Sequence, residues 1–341
     1  MKMIDSSFKP TLIERFVQLI PLRYPLALLA WVIILGQAGF GLANYIETGA
    51  SPLYLPNPIN AFFGFLLYLY LFYVVRYLRL RVMTAESSIA PIMSGGEGEY
   101  HSVFRRLNST WPILLLTLIL EALTGPATKF SDFTLSSIAI YNQITRVFVL
   151  LGFSTLVWEY SVSSWGLHRL GESNLRLKSF MEDRFMGARS IGNVALSLTF
   201  AYLAGLLLFF LDSATFIALS PEFVGFFLIL LALGLIMFFL PLNSLHRKMQ
   251  SEKSESLHAL AQKLLTKEFG AMTSNGPAQS ENPENGIKEL VRLKNLEIIE
   301  RRLANTATWP FDAQLLAKLI IIALSITAAL VSRIITDFLH L

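Results

Sequence analysis

RRLNSTWPILLL, residues 105–116, and RRLANTATWPF, residues 301–311, are two versions of one phrase. Each runs from paired arginines through Leu and Asn to Thr-Trp-Pro, and each opens onto an apolar segment. Arginine meets lipid headgroups, tryptophan suits the interfacial belt, and proline suits a first helical turn, where its missing N–H costs little. Arg105, Arg106 and Trp111, with Arg301, Arg302 and Trp309, are therefore read as interfacial anchors, each set starting a membrane crossing.

The rest of the chain fits a bilayer solvent. Hydrophobic residues make up 54% and charged ones only 15%, against about a quarter charged in soluble domains; mean hydropathy is +0.54. Apolar runs lie near 25–46, 61–78, 111–125, 134–157, 193–211, 222–242 and 313–335, approaching the ~20 residues that a helix needs to cross. The fold expected is an all-α polytopic membrane protein of about seven transmembrane helices. Gly125-Pro126 cuts the third run short, so a re-entrant pair made by the third and fourth runs stays open.

Orientation follows from lysine and arginine. Lys2, Lys9, Arg15 and Arg23 precede the first span; Arg76, Arg79, Arg81, Arg105 and Arg106 lie between the second and third; Arg169, Arg176, Lys178, Arg184 and Arg189 lie between the fourth and fifth. Ten more basic residues run from Arg247 to Arg302, whereas the loops at 47–60 and 212–221 contain none. The expectation is a plasma (inner) membrane protein with a cytoplasmic N-terminus and an outer C-terminus.

Convergence on a shared interface would by itself produce the twin phrases, but further echoes accompany them. Ile13-Glu14-Arg15-Phe16 matches Glu182-Asp183-Arg184-Phe185, Ala27-Leu28 matches Ala195-Leu196, Gly39 matches Gly205, and Pro58 matches Pro221. The pattern predicts a 3+1+3 parallel internal duplication, an architecture that known carriers use. Its parts are a cytoplasmic amphipathic helix at 1–24, a three-span unit at 25–125, a linking span at 126–157 and an amphipathic connector at 158–192. Spans five and six follow at 193–243, then a cytoplasmic helical hairpin at 244–308, and the last span with a short outer tail at 309–341. Segments 8–20 and 175–187 are expected as short helices along the membrane surface.

The hairpin is expected as helices near 244–269 and 287–304 around a polar connector at 271–285. Apolar residues on two sides of the second arm leave three readings: packing on the membrane domain, contact in a homo-oligomer, or docking of a cytoplasmic protein.

Three ionisable residues stand out within the spans, Glu121, Arg146 and Lys318, with Asn142 and Gln143 near Arg146. At 1.5 Å per residue, Glu121 is roughly 15 Å from Trp111, Lys318 roughly 13 Å from Trp309 and Arg146 roughly 18 Å from Trp158, so the charged three share one layer. Asn142 stands one turn from Arg146 on the same face, and Gln143 lies off that face at similar depth. The cluster is either a contact site for a solute or ion, or an ion pair locking helix register, with Lys318 snorkelling inward. Gly36, Gly39, Gly41 and Ala43, with Ala201, Ala204 and Gly205, read as close helix packing.

Enzyme chemistry finds no foothold. Zero cysteines exclude thiolate sites, the five histidines are dispersed, and no phosphate-cradling loop, zinc spacing or nucleophile elbow occurs. No catalytic residue, metal or cofactor is expected, and no nucleic-acid partner; the partners expected are the bilayer, further copies of the chain and a cytoplasmic protein at the hairpin. The function expected is permeation by an ion channel or small-solute transporter of anionic preference. Its rival is a sensor or scaffold that transports nothing.

Overall fold

The computed structural model describes residues 10–49, 58–124, 136–173, 175, 183, 185–216 and 221–274, with scattered positions between 291 and 332. The chain is an all-α integral membrane protein: it is almost wholly helical, and six helices among the described residues are long and apolar enough to cross a bilayer. About half of the run expected as a seventh span, 313–335, lies outside the described residues, as do positions 275–285 of the connector expected at 271–285.

The first element, α1 (Leu12–Val17), is set by a capping box: Glu14 N–H donates to Thr11 Oγ1 at 3.3 Å, and Thr11 N–H donates to Glu14 Oε2 at 2.9 Å. Its apolar face is covered by protein and not by lipid alone, because Ile13 and Val17 are buried in a cluster with Leu28, Val32, Phe72 and Val75. The first span is α2 (Tyr24–Ile33) and α3 (Gly39–Thr48), joined by a π-helical segment, Ile34–Ala38.

Helix α4 (Pro58–Ile89) leads through a 3-10 turn, Ala90–Ile92, to α5 (Gly96–Phe104). A second 3-10 turn, Arg105–Asn108, and an extended Ser109 then precede α6 (Thr110–Thr124). At 15 residues, α6 alone is about 22 Å long, short of a ~30 Å hydrocarbon core. The apolar stretch qualifies as a span only when the preceding turns are counted, as Gly96–Ala122.

Helix α7 (Ser137–Glu172) is capped by Ser136, whose Oγ accepts from Ala139 N–H, and is tied to the first span where Ile138 N–H donates to Glu47 at 3.0 Å. It continues unbroken for 36 residues, about 54 Å, well past the bilayer core. Beyond it, only Leu175, Asp183 and residues 185–187 of the segment expected as a surface helix at 175–187 are described, and these positions are not helical. Leu175 forms an isolated antiparallel bridge with Met93, and the backbone turns at Met186 and Gly187, both at positive φ. Phe185, Met186 and Ala188 are buried against the bundle.

Helices α8 (Arg189–Phe216) and α9 (Pro221–Ser274) complete the bundle. Span six and the first arm of the expected hairpin are one 54-residue helix, about 80 Å long. Pro241 lies inside it; a proline there removes one backbone bond, and neighbouring helices make that tolerable in a membrane setting. The main core gathers α4, α5, α7, α8 and α9 around Leu71, Phe104, Phe153, Leu203 and Phe227.

Small residues sit where these helices approach. A Cβ on Gly205 would come within 2.4 Å of Leu156, and one on Gly234 within 2.5 Å of Tyr202. Tyrosine hydroxyls then fasten one helix to a backbone carbonyl of another: Tyr24 to Phe72, Tyr70 to Ala201, Tyr100 to Val82, Tyr160 to Gly234 and Tyr202 to Leu230. A helical carbonyl keeps a second lone pair after accepting its own i+4 bond, and these tyrosines use it.

Candidate functional site

The antiparallel contact of α6 with α7 brings three of the polar residues together. Gln143 Nε2 donates to Glu121 Oε1 at 3.0 Å, and Arg146 Nε lies 3.3 Å from Glu121 Oε2. Oε2 makes no hydrogen bond, so the arginine holds it as an ion pair and not as a directed donor. The residue that joins the pair is Gln143, at i−3 from Arg146, while Asn142 at i−4 is exposed on the neighbouring face. The charged side chains retain 24% (Arg146) and 30% (Glu121) of their exposure, so the chain itself does not seal them. Lys318 lies outside the described residues.

One turn away, α7 also grips the first span. The π segment is centred on Gly36, whose φ of −92° and ψ of −106° are not helical, and a π-bulge leaves carbonyls without their usual donors. Tyr141 supplies one, its hydroxyl lying 2.6 Å from Leu35 O and 3.0 Å from Gly36 O. Gly39 is the close-approach point, since a Cβ there would lie 2.8 Å from the Tyr141 ring and 2.7 Å from Ile34 O. Residues 141–146 of α7 thus hold a kinked helix on one side and an ion pair on the other. Irregular backbone at membrane depth occurs where protein covers it or water lines it.

A second charged group escaped the sequence reading. Glu14, 1% exposed, forms a 2.7 Å ion pair with Arg79 of α4 while its other oxygen caps α1. Glu159 of α7, 0% exposed, adjoins both electrostatically, and neither of its oxygens has a hydrogen-bond partner. The signal for Glu14 was Thr11-Leu-Ile-Glu14, a capping-box spacing. Arg79 is indistinguishable in sequence from the topology-setting arginines around it, and nothing local marks Glu159.

The anchors are not alike in their surroundings. Trp111 is 81% exposed at the start of α6, whereas Trp309 stacks on His246 of α9 with ring centroids 4.3 Å apart. Arg301 pairs with Glu297 at 2.8 Å along its own helix, and Arg302 lies outside the described residues. Arg105 and Arg106 are exposed at the 3-10 turn between α5 and α6. No family model, curated protein or solved structure matches the chain.

Proposed function

We propose that the protein mediates permeation, as an ion channel or small-solute transporter preferring anions, with the Arg-rich end of the bundle in the cytoplasm of a plasma (inner) membrane. The observation that carries this reading is the half-open ion pair of Glu121 and Arg146. Charged groups at mid-span depth that keep about a quarter of their surface need water or polar groups from another subunit. Either arrangement fits a permeation path within a protomer or between protomers. The kink at Ile34–Ala38 lies against the same stretch of α7 and supplies a two-arrangement element by which such a path opens and closes. Arg146 and Lys318 outweigh Glu121, which favours anions. The reading includes no catalytic step.

The length of α9 supports a second reading, a sensor or scaffold. Its continuation past the bilayer is largely exposed through Gln262 and offers a surface for gating, self-assembly or a protein partner. The two readings separate in liposomes. Permeation predicts flux of anions over cations and neutral solutes, with Arg146→Gln changing rate or selectivity in a folded protein. Glu121→Gln and Arg146→Gln should each destabilise the solubilised protein by about 3–5 kcal/mol and the double change should recover much of it. Unchanged flux in Arg146→Gln, with that stability pattern intact, assigns the pair to register alone.

A further inference from the structure

At the Arg-rich end, α5, the 3-10 turn Arg105–Asn108, α7 and α9 line a half-open cavity of about 400 Å³. Arg105, Arg106 and Arg169 line it, and none of the three forms an ion pair among the described residues. Among the described residues, no acidic side chain lines it to offset them. Its other lining changes character along α7: Arg169 lies 11 residues from Trp158, or about 17 Å along the axis, and Met237 of α9 lies just before the Pro241 level, within the apolar part of that helix. Trp158 lines the cavity as well, although its indole N–H is itself buried. The cavity therefore has a cationic mouth and an apolar foot.

We propose that this cavity binds an anionic phospholipid, with its phosphate held by Arg105, Arg106 and Arg169. Guanidinium groups match a phosphate in geometry and charge, and basic pockets between transmembrane helices on the headgroup side take such lipids. The apolar foot selects a lipid over a soluble anion: Trp158 and Met237 meet the glycerol and upper acyl region. The arginines are exposed and form no ion pair among the described residues, which leaves their charge available to a ligand.

The test uses the purified full chain in neutral detergent, titrated with short-chain phosphatidylglycerol, short-chain phosphatidylcholine and inorganic phosphate while tryptophan fluorescence is followed. Phosphatidylglycerol should saturate at the lowest concentration. The triple change Arg105→Gln, Arg106→Gln and Arg169→Gln should weaken it by roughly a hundredfold, whereas Arg301→Gln, outside the cavity, should leave it unchanged. Should the triple variant fail to fold, the parent still decides: equal affinity for the two lipids overturns the proposal. Tighter binding of inorganic phosphate than of phosphatidylglycerol overturns it in favour of a soluble-anion site, and undiminished lipid binding by a folded triple variant overturns it outright.

Discussion

Arg79 is the residue on which the buried charges turn, because it stands against two carboxylates, Glu14 at 2.7 Å and the unpartnered Glu159. A buried charge that loses its partner costs about 3–5 kcal/mol, while removing an unpartnered charge relieves a cost. Arg79→Met should therefore lower the melting temperature of the solubilised protein strongly. Glu159→Gln should leave it unchanged or raise it. A loss of stability in Glu159→Gln comparable to that in Arg79→Met would mean that Glu159 is held by a partner such as water or an ion. Glu14→Gln is expected between the two, since the amide keeps an oxygen for the α1 cap but surrenders the ion pair.

Among the elements, the contacts that specify helix rotation are tyrosine hydroxyls and glycines. Tyr141→Phe leaves the ring against Gly39 and removes the donor to Leu35 O and Gly36 O, so it should cost about 1 kcal/mol. Gly39→Leu should cost more, because the added side chain meets both a ring and a carbonyl. Tyr202→Phe and Gly234→Leu form a matching pair on α8 and α9, where Tyr202 donates to Leu230 O at 2.8 Å and its ring fills the space above Gly234. Thermal unfolding of the four variants checks the order: each leucine should be worse than the phenylalanine at the same contact. Equal effects within a pair would show that the hydroxyl, and not close approach, sets the packing there.

The whole molecule offers a clean test of orientation because it contains no cysteine, so single introduced thiols report without background. Ser94→Cys, in the exposed turn before α5, and Ser254→Cys, on the exposed extension of α9, should be shielded from an impermeant maleimide added outside intact cells. Ser51→Cys, within residues 47–60, which include no lysine or arginine, should react. The reverse pattern would invert the topology proposed from lysine and arginine.

Helix class, the approximate extent of the apolar runs and the asymmetry of basic residues were legible along the chain, because each is a property of one segment and its solvent. Pro58 and Pro221, matched as echoes in the sequence, are where helices α4 and α9 begin. Helical rise put Glu121 and Arg146 at one level, and the two stand side by side. Which residue would join them did not, and Gln143 makes that contact where the face shared by Asn142 and Arg146 pointed elsewhere. The same holds for Glu14, Arg79 and Glu159, which come from three helices, and for Tyr141 at the kinked first span. In water an amphipathic stripe declares the buried face of a helix. A membrane helix is apolar all round, and lipid is as apolar as the protein core, so rotation about each helix axis is left to small residues, hydroxyls and charges that meet only once the tertiary structure has formed.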